Sequence, residues 1–78
     1  MKQINVLTFG AIAEITGSKS FLIQGTDSTE SLVRLLEEKY PQLKTVQYAI
    51  AVNKEVIQQN TMLDNDATVA ILPPFSGG

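Results

Sequence analysis

The residues of this chain best suited to chemistry close its 78-residue sequence, as Pro73-Pro74-Phe75-Ser76-Gly77-Gly78. Glycine averages about 7% of protein residues, so two together at a terminus arise by accident with a chance of about half a percent. The proline pair fixes φ and favours a stiff, extended path, so residues 73–78 are expected to project as a tail. Phe75 offers one apolar anchor, while Gly77 and Gly78 have no side chains and accept almost any backbone angle. Six extended residues reach about 20 Å, enough to thread into another protein's active site. What arrives there is the Gly78 α-carboxylate, so the expected chemistry is activation and substitution at that carboxyl carbon.

Other routes to catalysis are poorly supplied. The chain has no histidine and no cysteine, and therefore lacks the commonest general base, the commonest thiol nucleophile and the usual zinc ligands. Asp64-Asn65-Asp66 resembles the opening of a calcium loop, but the sixth and twelfth positions, which need glycine and glutamate, hold Val69 and Phe75. That triplet reads as a turn and no metal site is assigned. Asp27, Glu30, Glu37 and Glu38 read as a solvated helix face rather than as paired catalytic carboxylates. Five lysines and one arginine, spread thinly within a net charge of −2, form no basic stripe, so nucleic acid is not an expected partner. No apolar run approaches the ~18 residues of a membrane span and no signal-peptide pattern opens the chain, so a soluble, cytoplasmic protein is expected.

The elements that must hold the tail follow from periodicity. Residues 2–9 (KQINVLTF) and 20–25 (SFLIQG) are rich in β-branched and aromatic side chains and read as two strands, antiparallel across their connection. Between them, residues 11–16 suit one helical turn and Gly17-Ser18-Lys19 a reversal. Ser28 is a good N-cap, and Leu32, Val33, Leu35, Leu36 and Tyr40 then make one wide apolar stripe at helical spacing. Glu30, Arg34 and Glu38 occupy the opposite side, and Pro41 stops the helix. After a polar connection, residues 48–53, a short stretch near Glu55-Val56-Ile57, and residues 67–72 read as strands, with turns at Asn53-Lys54 and Asp64-Asn65-Asp66. Pro73-Pro74 ends the last of them.

This order predicts an α+β domain over residues 1–72, a mixed sheet of about five strands packed on one main helix, with the last strand in the middle beside the first. That arrangement is the β-grasp, or ubiquitin-like, fold. One helix covers only one face of such a sheet, yet the central strands are apolar on both: Ile4 and Val6 alternate with Leu7 and Phe9, and Val69 and Ile71 with Ala70 and Leu72. Phe9 and Leu72 would sit on adjacent strands close to Phe75, and a contiguous apolar patch of this kind marks a partner site.

The sequence resembles the MoaD family of ubiquitin-like sulfur carriers, the small subunits of molybdopterin synthase. The resemblance spans essentially the whole chain: FGAIAEITG (Phe9 to Gly17), AVNKE (Ala51 to Glu55), the turn of Leu63 to Asp66, and PPFSGG. Many relatives carry arginine where this chain has Ala13, so an ion pair with Glu14 is not carried over. The resemblance implies that a ubiquitin-activating-like adenylyltransferase uses ATP to adenylate Gly78, and that a persulfide sulfur donor then converts it to a thiocarboxylate. The sulfur would pass to cyclic pyranopterin monophosphate in the large subunit of molybdopterin synthase, within a heterotetramer whose catalytic residues belong to that subunit. It further implies that Phe9, Val56, Leu72 and Phe75 contact partners, that Pro73, Pro74 and Ser76 belong to the threaded tail, and that no cofactor is bound permanently. Three other readings share parts of this pattern: a carrier for another pathway such as thiamine thiazole synthesis, a ubiquitin-like protein modifier, and a plain interaction module.

Overall fold

The computed structural model describes residues 2–73. Alternating burial makes the strands two-faced: in β1 (Gln3–Thr8), Ile4, Val6 and Thr8 are buried while Gln3, Asn5 and Leu7 are half-exposed. β2 (Ser20–Gln24) pairs antiparallel with β1, and β5 (Thr68–Leu72) pairs parallel with its other edge. β3 (Ala49–Val52) runs antiparallel to β5 and carries β4 (Glu55–Ile57) outside it, giving the strand order β2-β1-β5-β3-β4. The last strand thus lies centrally beside the first, as the two-faced apolar pattern of residues 67–72 requires.

Register places the apolar sets on their faces. Val6 pairs with Val69 and Val69 with Val52, while Thr8 pairs with Ile71 and Ile71 with Ile50. This inner face is covered by α2 (Thr29–Lys39), whose Leu32 and Leu36 share one core with Ile4, Val6, Val69 and Ile71. Leu35, expected in the same stripe, is only half-buried at its margin. Ser28 caps the helix: its side chain accepts from the Ser31 N–H at 3.3 Å, satisfying a donor the first turn leaves unpaired. Asn60 supplies a second cap, its Oδ1 accepting from the Glu30 N–H at 2.9 Å. Along the α2–β3 seam, the Tyr48 hydroxyl donates to Glu37 Oε2 at 2.7 Å. Burial first, then that hydrogen bond and the carboxylate's charge, push the Tyr48 phenol well above its ordinary value.

Two segments differ from expectation. Residues 41–45, read as a polar connection, form a 3-10 helical turn that buries Leu43. Pro41 presets φ for the turn's first position, and one apolar residue among polar neighbours gives no periodic signal. The single turn expected over residues 11–16 is a full seven-residue helix, α1 (Gly10–Thr16). It buries Ile12 and ends at Gly17, whose φ of 78° is left-handed and whose N–H donates to the Ala13 carbonyl at 2.8 Å. Below it, the buried Thr8 hydroxyl donates to the Ser18 carbonyl, tying the turn after α1 to the end of β1.

The open sheet face and the tail exit

The face of the sheet away from α2 is where the expected contact residues meet. Leu7 pairs with Ala70, Ala70 with Ala51, and Ala51 with Val56, so one row of apolar side chains crosses four strands. Ala70 and Ala51 are small and form a floor; Leu7, Val56, Phe9 and Leu72 are larger and stand around it. The result is a depression of about 480 Å³, the shape that small central and bulky peripheral residues must produce. Phe9 is 45% exposed and Val56 58%, while Leu72 is half-buried. No element among the described residues covers them.

The structure therefore brings Phe9, Val56 and Leu72 to one surface. Pro73, directly after β5, is half-buried, and its Cγ would lie 3.4 Å from a Cβ placed on Gly10. Gly10 has a φ of 55°, a left-handed conformation that a residue without a side chain adopts freely at the turn into α1; the proline ring would meet a Cβ there only at ordinary contact distance. The remaining tail residues assigned from the sequence, Pro74, Phe75, Ser76, Gly77 and Gly78, lie outside the described residues.

Two positions on this face go against local stability. Phe9 is the N-cap of α1, where Ser, Asp or Asn would satisfy a free N–H; it makes no side-chain cap. Asn53 and Lys54 form the two-residue turn between β3 and β4, both with positive φ (48° and 75°). This is the signature of a type I′ turn, which favours Asn-Gly. Asn53 fits, and its Oδ1 also accepts from the Thr68 N–H at 3.0 Å, joining the turn to β5. Lys54 takes the position where glycine is at home.

Sequence reasoning placed the rim residues and Ala70 on this face but missed Ala51 and the cation. Ala51 and Lys54 sit in the AVNKE stretch, yet their place on this face needs strand pairing, which no local pattern gives. The one local signal was a non-glycine residue second in a two-residue hairpin turn.

A mixed five-stranded sheet with strand order 2-1-5-3-4, one long helix across one face and an apolar opposite face defines a ubiquitin-like β-grasp protein. Solved structures agree: small archaeal modifier protein 1 from Methanosarcina acetivorans matches with a TM-score of 0.84 at 26% identity, covering 100% of this chain and 98% of that one. The sequence pattern of the ThiS family matches residues 6–78, and the chain belongs to that family, with relatives among its MoaD members. The molybdopterin synthase sulfur carrier subunit of Dictyostelium discoideum is 32% identical, across 97% of this chain and 96% of its own. Its human counterpart is 34% identical across 97% and 94%. A chain in the complex of subunits 1 and 2 of molybdopterin-converting factor from Helicobacter pylori is 32% identical, with a TM-score of 0.73 and coverage of 97% and 99%.

Proposed function

We propose that this protein is a sulfur carrier in molybdenum cofactor biosynthesis, working as the small subunit of molybdopterin synthase with Gly78 as its reacting residue. The observation that carries the reading is the open apolar face, with strand β5 leading from it through Pro73 into the tail. Full-length similarity to relatives named as sulfur carrier subunits supports it. The complex that contains the Helicobacter relative supports a large-subunit partner.

The chemistry requires nothing the chain lacks. A carboxylate is a poor electrophile, so an adenylyltransferase first joins the Gly78 carboxylate to the α-phosphorus of ATP, and pyrophosphate leaves. The terminal sulfur of a persulfide attacks the acyl carbon and AMP departs. A thiol then cleaves the resulting acyl disulfide, leaving the thiocarboxylate on Gly78 and a disulfide on the donor. The anionic thiocarboxylate sulfur then attacks a carbon of cyclic pyranopterin monophosphate in the large subunit and displaces an oxygen leaving group. Water cleaves the resulting acyl–sulfur bond, so the sulfur stays on the pterin and Gly78 returns as a carboxylate. This chain contributes reach, docking and the acyl group; ATP is consumed by the activating enzyme and is not held here.

Intact-mass measurement of the full chain with its host adenylyltransferase, ATP and a persulfide donor tests this. A shift equal to one oxygen replaced by sulfur, absent after deletion of Gly78, is the expected result. Deletion should abolish sulfur transfer completely and leave the thermal midpoint unchanged. An unmodified mass with all components active would overturn the reading. Ladders of target proteins heavier by one copy of this chain would favour a protein modifier, a reading to which the archaeal modifier's likeness lends support.

A further inference from the structure

We propose that Lys54 is the charge that selects and aligns the partner on the open sheet face, and that the large subunit meets it there with a carboxylate. The inference rests on the reading above for the partner's identity. The residue itself is argued from the fold.

Among the described residues lining the depression, Lys54 alone is charged; its neighbours there are apolar or uncharged. Among the described residues the one side-chain ion pair is Arg34 with Glu30, on the far side of the molecule, so no described carboxylate neutralises Lys54. The adjacent Glu55 does not serve, because side chains alternate along β4: Val56 shares the row of the open face, and Glu55 pairs with Val52, whose row belongs to the inner face.

The backbone adds a second, independent observation. A lysine at φ 75° holds a conformation that L side chains rarely adopt and that glycine would take without strain. Phe9, on the same face, likewise occupies a cap position that a small polar residue would stabilise better. Asp66, at φ 67°, departs in the same way outside this face, but here two departures fall together on one surface, as expected where selection acts on something other than stability.

The partner's chemistry follows from what covering this face does. A surface that fills the depression removes water from the apolar floor and from the ammonium group at its edge. Leaving that ammonium desolvated without an anion is costly, whereas a facing carboxylate offsets the loss and fixes the register of docking. The Lys54 stem can flatten against the apolar contact while its head reaches the rim.

The test is the affinity of the full chain for the purified large subunit at about 0.05 M and about 0.5 M salt, where the Debye length falls to a few ångströms. Lys54→Gln should weaken binding by about 3–10-fold and Lys54→Glu by more than about 10-fold at low salt, with both gaps narrowing at high salt. Lys54→Gly should weaken binding like the glutamine variant without lowering the thermal midpoint, which separates lost charge from lost fold. Phe9→Ser is the control for the face. If Phe9→Ser weakens binding and Lys54→Glu does not, the cation inference is wrong while the docking face stands. Equal losses at both salts would also overturn it, because the effect would not be electrostatic. If neither variant changes affinity, or the native chain fails to bind, the docking reading falls with it.

Discussion

The two faces of this sheet are built from the same kinds of residue and do opposite things. On the inner face Ile4, Val6 and Val69 are fully buried, Ile71 nearly so, and they interlock with Leu32 and Leu36 of α2. On the open face Leu7, Ala70, Ala51 and Val56 make an equally continuous row with no element among the described residues laid over it. The helix-covered side keeps the local rules that shape it: Ser28 caps the helix, polar Glu30 and Arg34 face water, and β-branched residues fill the strands. The open face breaks two, with phenylalanine at a cap and lysine at a glycine position. Apolar residues therefore do not define a core by themselves. What defines it is whether the chain supplies a second layer and whether each local choice supports it.

That contrast can be broken from either side. The largest stability effect belongs to the inner face: Leu36→Ala should cost about 2–5 kcal/mol, read by denaturant unfolding, because a fully buried leucine leaves a cavity the packed sheet cannot fill. A neutral result would mean that the two layers are not interlocked there. On the open face the order of effects should reverse. Phe9→Ser should weaken large-subunit binding by roughly tenfold, about 1.4 kcal/mol, while thermal unfolding stays level or rises because serine can cap α1. A fall in stability with binding intact would make Phe9 a core residue and erase the distinction.

The smallest effect is at the seam between helix and sheet. Tyr48 has its phenol pKa raised in the folded state by burial and by Glu37. Above the ordinary tyrosine value near 10, the unfolded chain therefore releases this proton while the folded chain keeps it, and stability falls as pH rises. Tyr48→Phe should flatten that alkaline decline and leave stability below pH about 9 with only the loss of one hydrogen bond. An unchanged alkaline slope would place the titration elsewhere.

Much of the molecule was legible in residues alone. The helix over residues 29–39 announced itself through Ser28, the leucine spacing and Pro41, each a local physical cause acting within one or two turns. The strands showed through their alternation, and the surplus of apolar residues on β1 and β5 already implied a second, uncovered face. The 3-10 turn around Leu43 and the full length of α1 were not legible, because tertiary burial of one isoleucine and one leucine stabilises segments too short to declare a period.

The sequence by itself determined the elements and the two-faced character of the central strands. Those are properties of composition, spacing and local backbone preference. Only the tertiary structure decided that Leu7, Ala70, Ala51 and Val56 form one row, that Pro73 lies beside Gly10, and that Lys54 is the one charge among the described residues lining that face. These are matters of register between strands far apart in the chain, and a one-residue slip in any pairing would have sent the same side chains to the opposite face.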